Sequence, residues 1–250
     1  MLPPLTALAL LITVPIAAPG QKGLDTLRTK EAIVKANTNR KIAEAVGQRI
    51  DNFCAVFQAF YDELGLEKKS DNMLAARLFN TYEEYEKQFK RQNPNDDPPL
   101  AFFSPSMNAI VLYNDEADVT LRQTLFHESS HQFLNRYTSD APKWLNEGLS
   151  EYFEGWRMSP DGKLIEERVN LYDLKLLQDC LKADKALAPK DLAGFDATQF
   201  NEFKKNHPKL HPYLHYVTAW GMVYFSLELS DVPADRERLV GYLRDLNSKG

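Results

Sequence analysis

His127, Glu128 and His131 stand in a His-Glu-Ser-Ser-His run at the centre of a 250-residue chain that has only five histidines. Residues four apart on a helix lie about 40° apart around the axis and one turn apart along it. Both imidazoles can therefore reach one ion at roughly 2.0–2.1 Å. A cation held there lowers the pKa of a water from about 15.7 toward about 7. Glu128, beside His127, can take that proton and pass it on, which is general acid–base chemistry. His-Glu-x-x-His on a helix is thus a metal-and-base motif.

Two histidines satisfied on a helix surface or in a core would give the same string, so a third ligand is needed. A catalytic zinc typically keeps three protein ligands and one open position. The segment Trp144-Leu145-Asn146-Glu147-Gly148-Leu149-Ser150-Glu151-Tyr152 lies on the next expected helix. A short connection sets consecutive helices side by side, which makes Glu147 the expected third ligand. Glu151 follows one turn along the same face. It is expected to accept the free ring N–H of His127 or His131, as carboxylates behind metal ligands commonly do; a solvated helix charge is the alternative.

These side chains need elements to carry them. Residues 24–66 read as helix, with Ile42, Val46, Ile50, Phe53, Phe57 and Phe60 forming one apolar stripe and Gly65 a stop. Residues 73–79 suit a short strand. Thr81 and Glu84 have capping-box spacing and open a helix through TYEEYEKQFK. Asn93–Pro99 reads as loop, and residues 101–113 as two strands about a Ser-Pro-Ser-Met-Asn turn. Helices are expected from Val119 to Tyr137 and from Pro142 to about Gly155. Asp161-Gly162 marks a turn. Helices follow over 166–183, 213–229 and 234–246, with a mixed stretch at 189–212. This order predicts an α+β fold: a small antiparallel or mixed sheet packed on the helix that carries the motif, with a mainly helical C-terminal part.

His127-Glu-Ser-Ser-His followed by Asn146-Glu-Gly-Leu-Ser-Glu resembles the gluzincin metallopeptidases, thermolysin-like and aminopeptidase N-like, whose third ligand is the Glu of an Asn-Glu-Ala or Asn-Glu-Gly motif. The wider run, through Pro142-Lys-Trp-Leu-Asn-Glu-Gly-Leu-Ser-Glu-Tyr-Phe-Glu, is similar to a bacterial group of exported peptidase-like domains of unknown function. The resemblance is strong over roughly residues 100–155. It implies a zincin-like fold, one Zn²⁺ on His127, His131 and Glu147, Glu128 as the base, and a peptide or protein substrate. It also implies an antiparallel edge strand above the motif helix that binds extended substrate by β-addition, for which Ala109–Tyr113 is the candidate, with Ala109 and Val111 touching the substrate. A Tyr or His from a later helix stabilises the oxyanion in such enzymes; Tyr216 is favoured, with His215 and Tyr213 as alternatives. The metzincin pattern does not fit, because Leu134 and Tyr137 stand where its Gly and third His belong. No Gly-x-Met-Glu-Asn motif supports aminopeptidase action. The expected division is a signal peptide at 1–20, an N-terminal helical segment at 21–70 and a zincin-like catalytic domain at 71–250. A zincin-like binding or assembly module with weak or no peptidase activity is the alternative function.

Composition bounds the rest. The chain is 44% hydrophobic and 26% charged, ordinary for a globular protein, with a formal net charge of −5. No concentrated basic face suggests nucleic acid. Residues 1–20 carry no charged side chain, and the apolar run Leu5–Ala18 is short for a bilayer span. Ala18 and Gly20 suit the −3 and −1 positions of a signal-peptidase site. Export to the periplasm, cell envelope or exterior is expected, with no stable span after cleavage; an uncleaved anchor or apolar tail is the alternative. Cys54 and Cys180 could pair or remain separate buried thiols.

Overall fold

The computed structural model describes residues 25–94, 97–104, 106–114, 119–166, 169–229 and 231–249. The expected leader lies outside them. The fold is mixed α and β with a small mixed sheet.

The chain enters as two strands, β1 (Asp25–Arg28) and β2 (Ala32–Ala36), paired antiparallel. Helix α1 begins only at Arg40, capped by Asn39, and ends at Glu63. The helix expected from residue 24 is corrected here. In β2 the residues Ala32, Val34 and Ala36 are buried and alternate with more exposed neighbours, the period of a strand and not of a helix. The turn into β2 is tied to α1, because the Asp51 carboxylate accepts the Thr29 hydroxyl at 2.7 Å and the Glu31 N–H at 2.8 Å.

Strand β3 (Leu74–Phe79) runs parallel to β2, across the expected boundary at residue 70. Helix α2 (Tyr82–Lys90) starts at the Thr81 cap, whose hydroxyl accepts the Glu84 N–H. The strands β4 (Ala101–Ser104) and β5 (Ala109–Tyr113) form the expected hairpin. The sheet order is β1-β2-β3-β5-β4. Strand β5 is therefore interior, bonded to β3 on one side and β4 on the other. Val111 is fully buried and Ala109 nearly so, so neither sits on an edge open to a substrate. The edge strands are β1 and β4.

Helix α3 (Val119–Leu134) carries the His-Glu-Ser-Ser-His run, and α4 (Lys143–Glu154) carries Glu147. A hairpin of β6 (Arg157–Met158) and β7 (Leu164–Glu166) turns through Gly162, at φ +84°. Helix α5 (Leu171–Lys182) starts at the Asn170 cap, five residues later than expected because β7 takes the preceding segment. Three short helices follow, α6 (Pro189–Ala193), α7 (Ala197–Asn201) and α8 (Phe203–Asn206). Helix α9 (Leu214–Tyr224) widens into one π-turn at Phe225–Leu229, where the Ser226 hydroxyl donates to the Met222 carbonyl. Helix α10 (Pro233–Lys249) closes the described chain. Among the described residues no helix is long and apolar enough to cross a membrane. Cys54 and Cys180 are both free and buried.

The apolar stripe of α1 sets the two motif helices. The Phe57 ring stacks on Phe126 of α3 at 4.8 Å and meets Phe133 of α3 at 5.3 Å and Phe153 of α4 at 4.9 Å. All four rings are buried, and burying such a side chain stabilises by roughly 1.5–3 kcal/mol. Behind α4, a Cβ on Gly148 would come within 2.6 Å of the Ala219 carbonyl oxygen. Glycine lets the backbones of α4 and α9 touch there, which carries the start of α9 to the motif.

Candidate metal centre

On α3, His127 and His131 project from one face, with ring centroids 4.8 Å apart. Across from them Glu147 Oε2 lies 3.5 Å from His127 Nε2 and 3.6 Å from His131 Nε2. Donors bound to a tetrahedral ion at 2.0–2.1 Å sit about 3.3 Å from each other. The three residues thus form a group able to hold one metal ion, and their donor set of two imidazoles and a carboxylate is one that zinc accepts.

The far nitrogen of each ring is tied down. His131 Nδ1 lies 2.6 Å from Asn146 Oδ1 and 3.0 Å from the Ser150 hydroxyl. His127 Nδ1 lies 3.0 Å from Glu154 Oε2. With each Nδ1–H donating to an oxygen, both Nε2 atoms are left as the acceptor atoms aimed at Glu147. Glu151, expected in this role, is buried but bonds the Tyr213 hydroxyl instead. The geometry gives the orienting positions to Glu154 and Asn146. Both carried a readable signal: Asn146 precedes Glu147, and Glu154 follows it by seven residues, two helical turns on the same face.

The other oxygen of Glu147 is also held. Lys143 Nζ, one turn earlier on α4, donates to Oε1 at 2.5 Å, leaving Oε2 to face the imidazoles. Burial pushes the Glu147 pKa up, but His131, His127 and Lys143 outweigh it and hold the carboxyl far below its usual range. Burial opposes charge on His127, yet its bonds to Glu147 and Glu154 raise its pKa well above the usual value. Burial drives His131 down to about 4.

Glu128 lies in the same cavity, of about 570 Å³, with Phe103, Glu147 and Tyr216 on its walls. Burial raises its pKa to about 7, partly offset by His127 and by the Phe103 N–H, which donates to its carboxylate. Strand β4, and not the expected Ala109–Tyr113 strand, lies at the sheet edge here and contributes Ala101, Phe102 and Phe103 to this cavity.

Tyr213 and Tyr216 both line the cavity, with their rings stacked at 4.8 Å. Tyr213 is engaged with Glu151. His215 is buried and turned away, stacked on Phe203 at 4.4 Å, with its Nδ1 unpartnered among the described residues. Of the three expected oxyanion groups, Tyr216 alone combines a place on the cavity wall with a hydroxyl not committed to Glu151.

Comparison with known families matches residues 122–249, just over half of the chain, to DUF1570, described as a protein of unknown function. The chain belongs to that family. The match begins within α3 and takes in His127, Glu128, His131 and Glu147. No curated protein matches the chain.

Proposed function

We propose that this protein is an exported, zinc-dependent hydrolase of gluzincin type with a zincin-like catalytic domain, cleaving peptide bonds. The observation that carries the reading is the convergence of His127 Nε2, His131 Nε2 and Glu147 Oε2 beside the Glu128 carboxylate in one cavity. A bound Zn²⁺ would supply Lewis acidity, lowering the pKa of a water and polarising a carbonyl. The protein's own groups account for the rest. Glu128, with a pKa near 7, is poised to accept a proton at its carboxylate and return it to a leaving amine. Asn146 and Glu154 keep both imidazoles in the tautomer that leaves Nε2 as acceptor. Tyr216 offers a hydroxyl for developing negative charge on the carbonyl oxygen. The edge of β4 suits an extended peptide laid along the cavity.

The export reading rests on residues 1–20. The presence of the base favours hydrolysis over a binding module that merely keeps the ligands. The test is a peptide-library digest with zinc-loaded protein and with the Glu128→Gln variant. Wild type should cleave, and Glu128→Gln should keep its zinc and lose activity by about 10²–10⁴-fold. Equal cleavage by both would remove Glu128 from the mechanism, and no cleavage by either would favour the binding module.

A further inference from the structure

Behind His127 lies a second group of acids, of which Glu151 and Glu154 also line the cavity of Glu128. Glu151 and Glu154 on α4 and Asp173 in the first turn of α5 line one cavity of about 770 Å³ together with Tyr213. Ligating atoms of His127, Glu151 and Glu154 all lie within 4.8 Å of one another. Asp173 is 1% exposed, and neither of its carboxylate oxygens has a hydrogen-bond donor among the described residues. Its carboxylate abuts that of Glu151, with Glu154 close by, and among the described residues His127 is a positive group that acts on it. His127 already gives its Nδ1–H to Glu154.

Two carboxylates buried face to face repel each other unless a proton or a cation lies between them. Asp173 makes the case sharpest. It sits where its side chain could turn to the open N-terminal end of α5, yet the Asn170 side chain takes the Tyr172 and Asp173 N–H groups and Asp173 faces the cluster instead.

We propose that Glu151, Glu154 and Asp173 form a second cation site, for a hard divalent ion of the calcium class. Carboxylate oxygens with room for several waters suit Ca²⁺, whereas a soft or nitrogen-seeking ion prefers the imidazole pair next door. The ion supplies positive charge between the carboxylates and braces α4 against α5. It stands one imidazole away from the first centre, because Glu154 serves both. The inference does not depend on hydrolysis, and its test reads no activity.

Zinc-loaded protein stripped of calcium is titrated with calcium chloride, following the melting temperature and the calcium retained after desalting. One calcium per chain is expected. At a hundredfold excess over the dissociation constant, Tm should rise by about 5–10 °C. Asp173→Asn should abolish both effects while one zinc per chain remains; if that variant does not fold, Glu151→Gln serves the same purpose. The proposal is overturned if wild type retains no calcium and its Tm does not move. It is overturned equally if the folded variant keeps the full response, or if a second zinc binds and calcium has no effect.

Discussion

Removing the Glu154 carboxylate is the perturbation that best separates this geometry from a generic two-histidine motif. Glu154 Oε2 is 3.0 Å from His127 Nδ1, and the ring is 12% exposed and the carboxylate 29%. In Glu154→Ala the Nδ1–H loses its partner, so the ring is free to rotate or to adopt the tautomer that points a proton at the metal. Loss of such an orienting group typically costs 10–100-fold in metal affinity, or about 1.4–2.7 kcal/mol. Glu154→Gln keeps an amide oxygen that can accept the same proton and loses only the charge, so its affinity should fall by less. Glu151→Ala, which touches neither ring, should stay close to wild type. The assay is competition for zinc against a chromophoric chelator in calcium-free buffer, with folding checked by circular dichroism. If Glu151→Ala weakens zinc more than Glu154→Ala, the orienting role belongs to Glu151 and the geometry argued above is wrong.

Metal-free protein should lose stability as pH rises from 6.5 to 8. Glu128 and Asp173 at about 7, and Glu151 at about 8, all have folded pKa values raised by burial. The unfolded chain has already released these protons, while the folded chain holds each until its own pKa is passed, so each group contributes a fall that approaches about 1.4 kcal/mol per pH unit below its folded pKa and fades above it. Urea melts of chelator-treated protein at the two pH values measure this, and a stability that rises with pH would contradict the burial of these acids. Gly148→Ala should destabilise by about 1–3 kcal/mol, since the added methyl meets the Ala219 carbonyl oxygen at 2.6 Å. A melting temperature unchanged from wild type would show that α4 and α9 can part without cost.

The group able to hold a metal is legible in the sequence because helical periodicity translates spacing directly into shared faces. His127 and His131 at four residues, and Glu147 on the next short-looped helix, leave little freedom once α3 and α4 both pack on the Phe57 ring. The orienting groups were harder to read. Glu151 and Glu154 fall one and two turns beyond Glu147, and the choice between them depends on Tyr213 arriving from α9 to bond Glu151. Strand order was hidden for a different reason. Alternation in residues 101–113 shows two strands but not which of them pairs with β3, and that pairing makes β5 interior and β4 an edge. The strong apolar stripe starting at Ile42 masks the strand at residues 32–36, whose own alternation has a period of two. Asp173 carried no local signal at all; its burial comes from the packing of α5 on α9, which in turn packs on α4.

The most direct test of the metal centre is the zinc content of purified protein after equilibration with excess zinc and desalting in calcium-free buffer, measured by elemental analysis for wild type and for Glu147→Ala and His131→Ala. The geometry predicts one zinc per wild-type chain, lost from both variants while they remain folded. A wild-type chain that retains no zinc, or variants that retain it in full, would contradict the assignment of His127, His131 and Glu147 as its ligands.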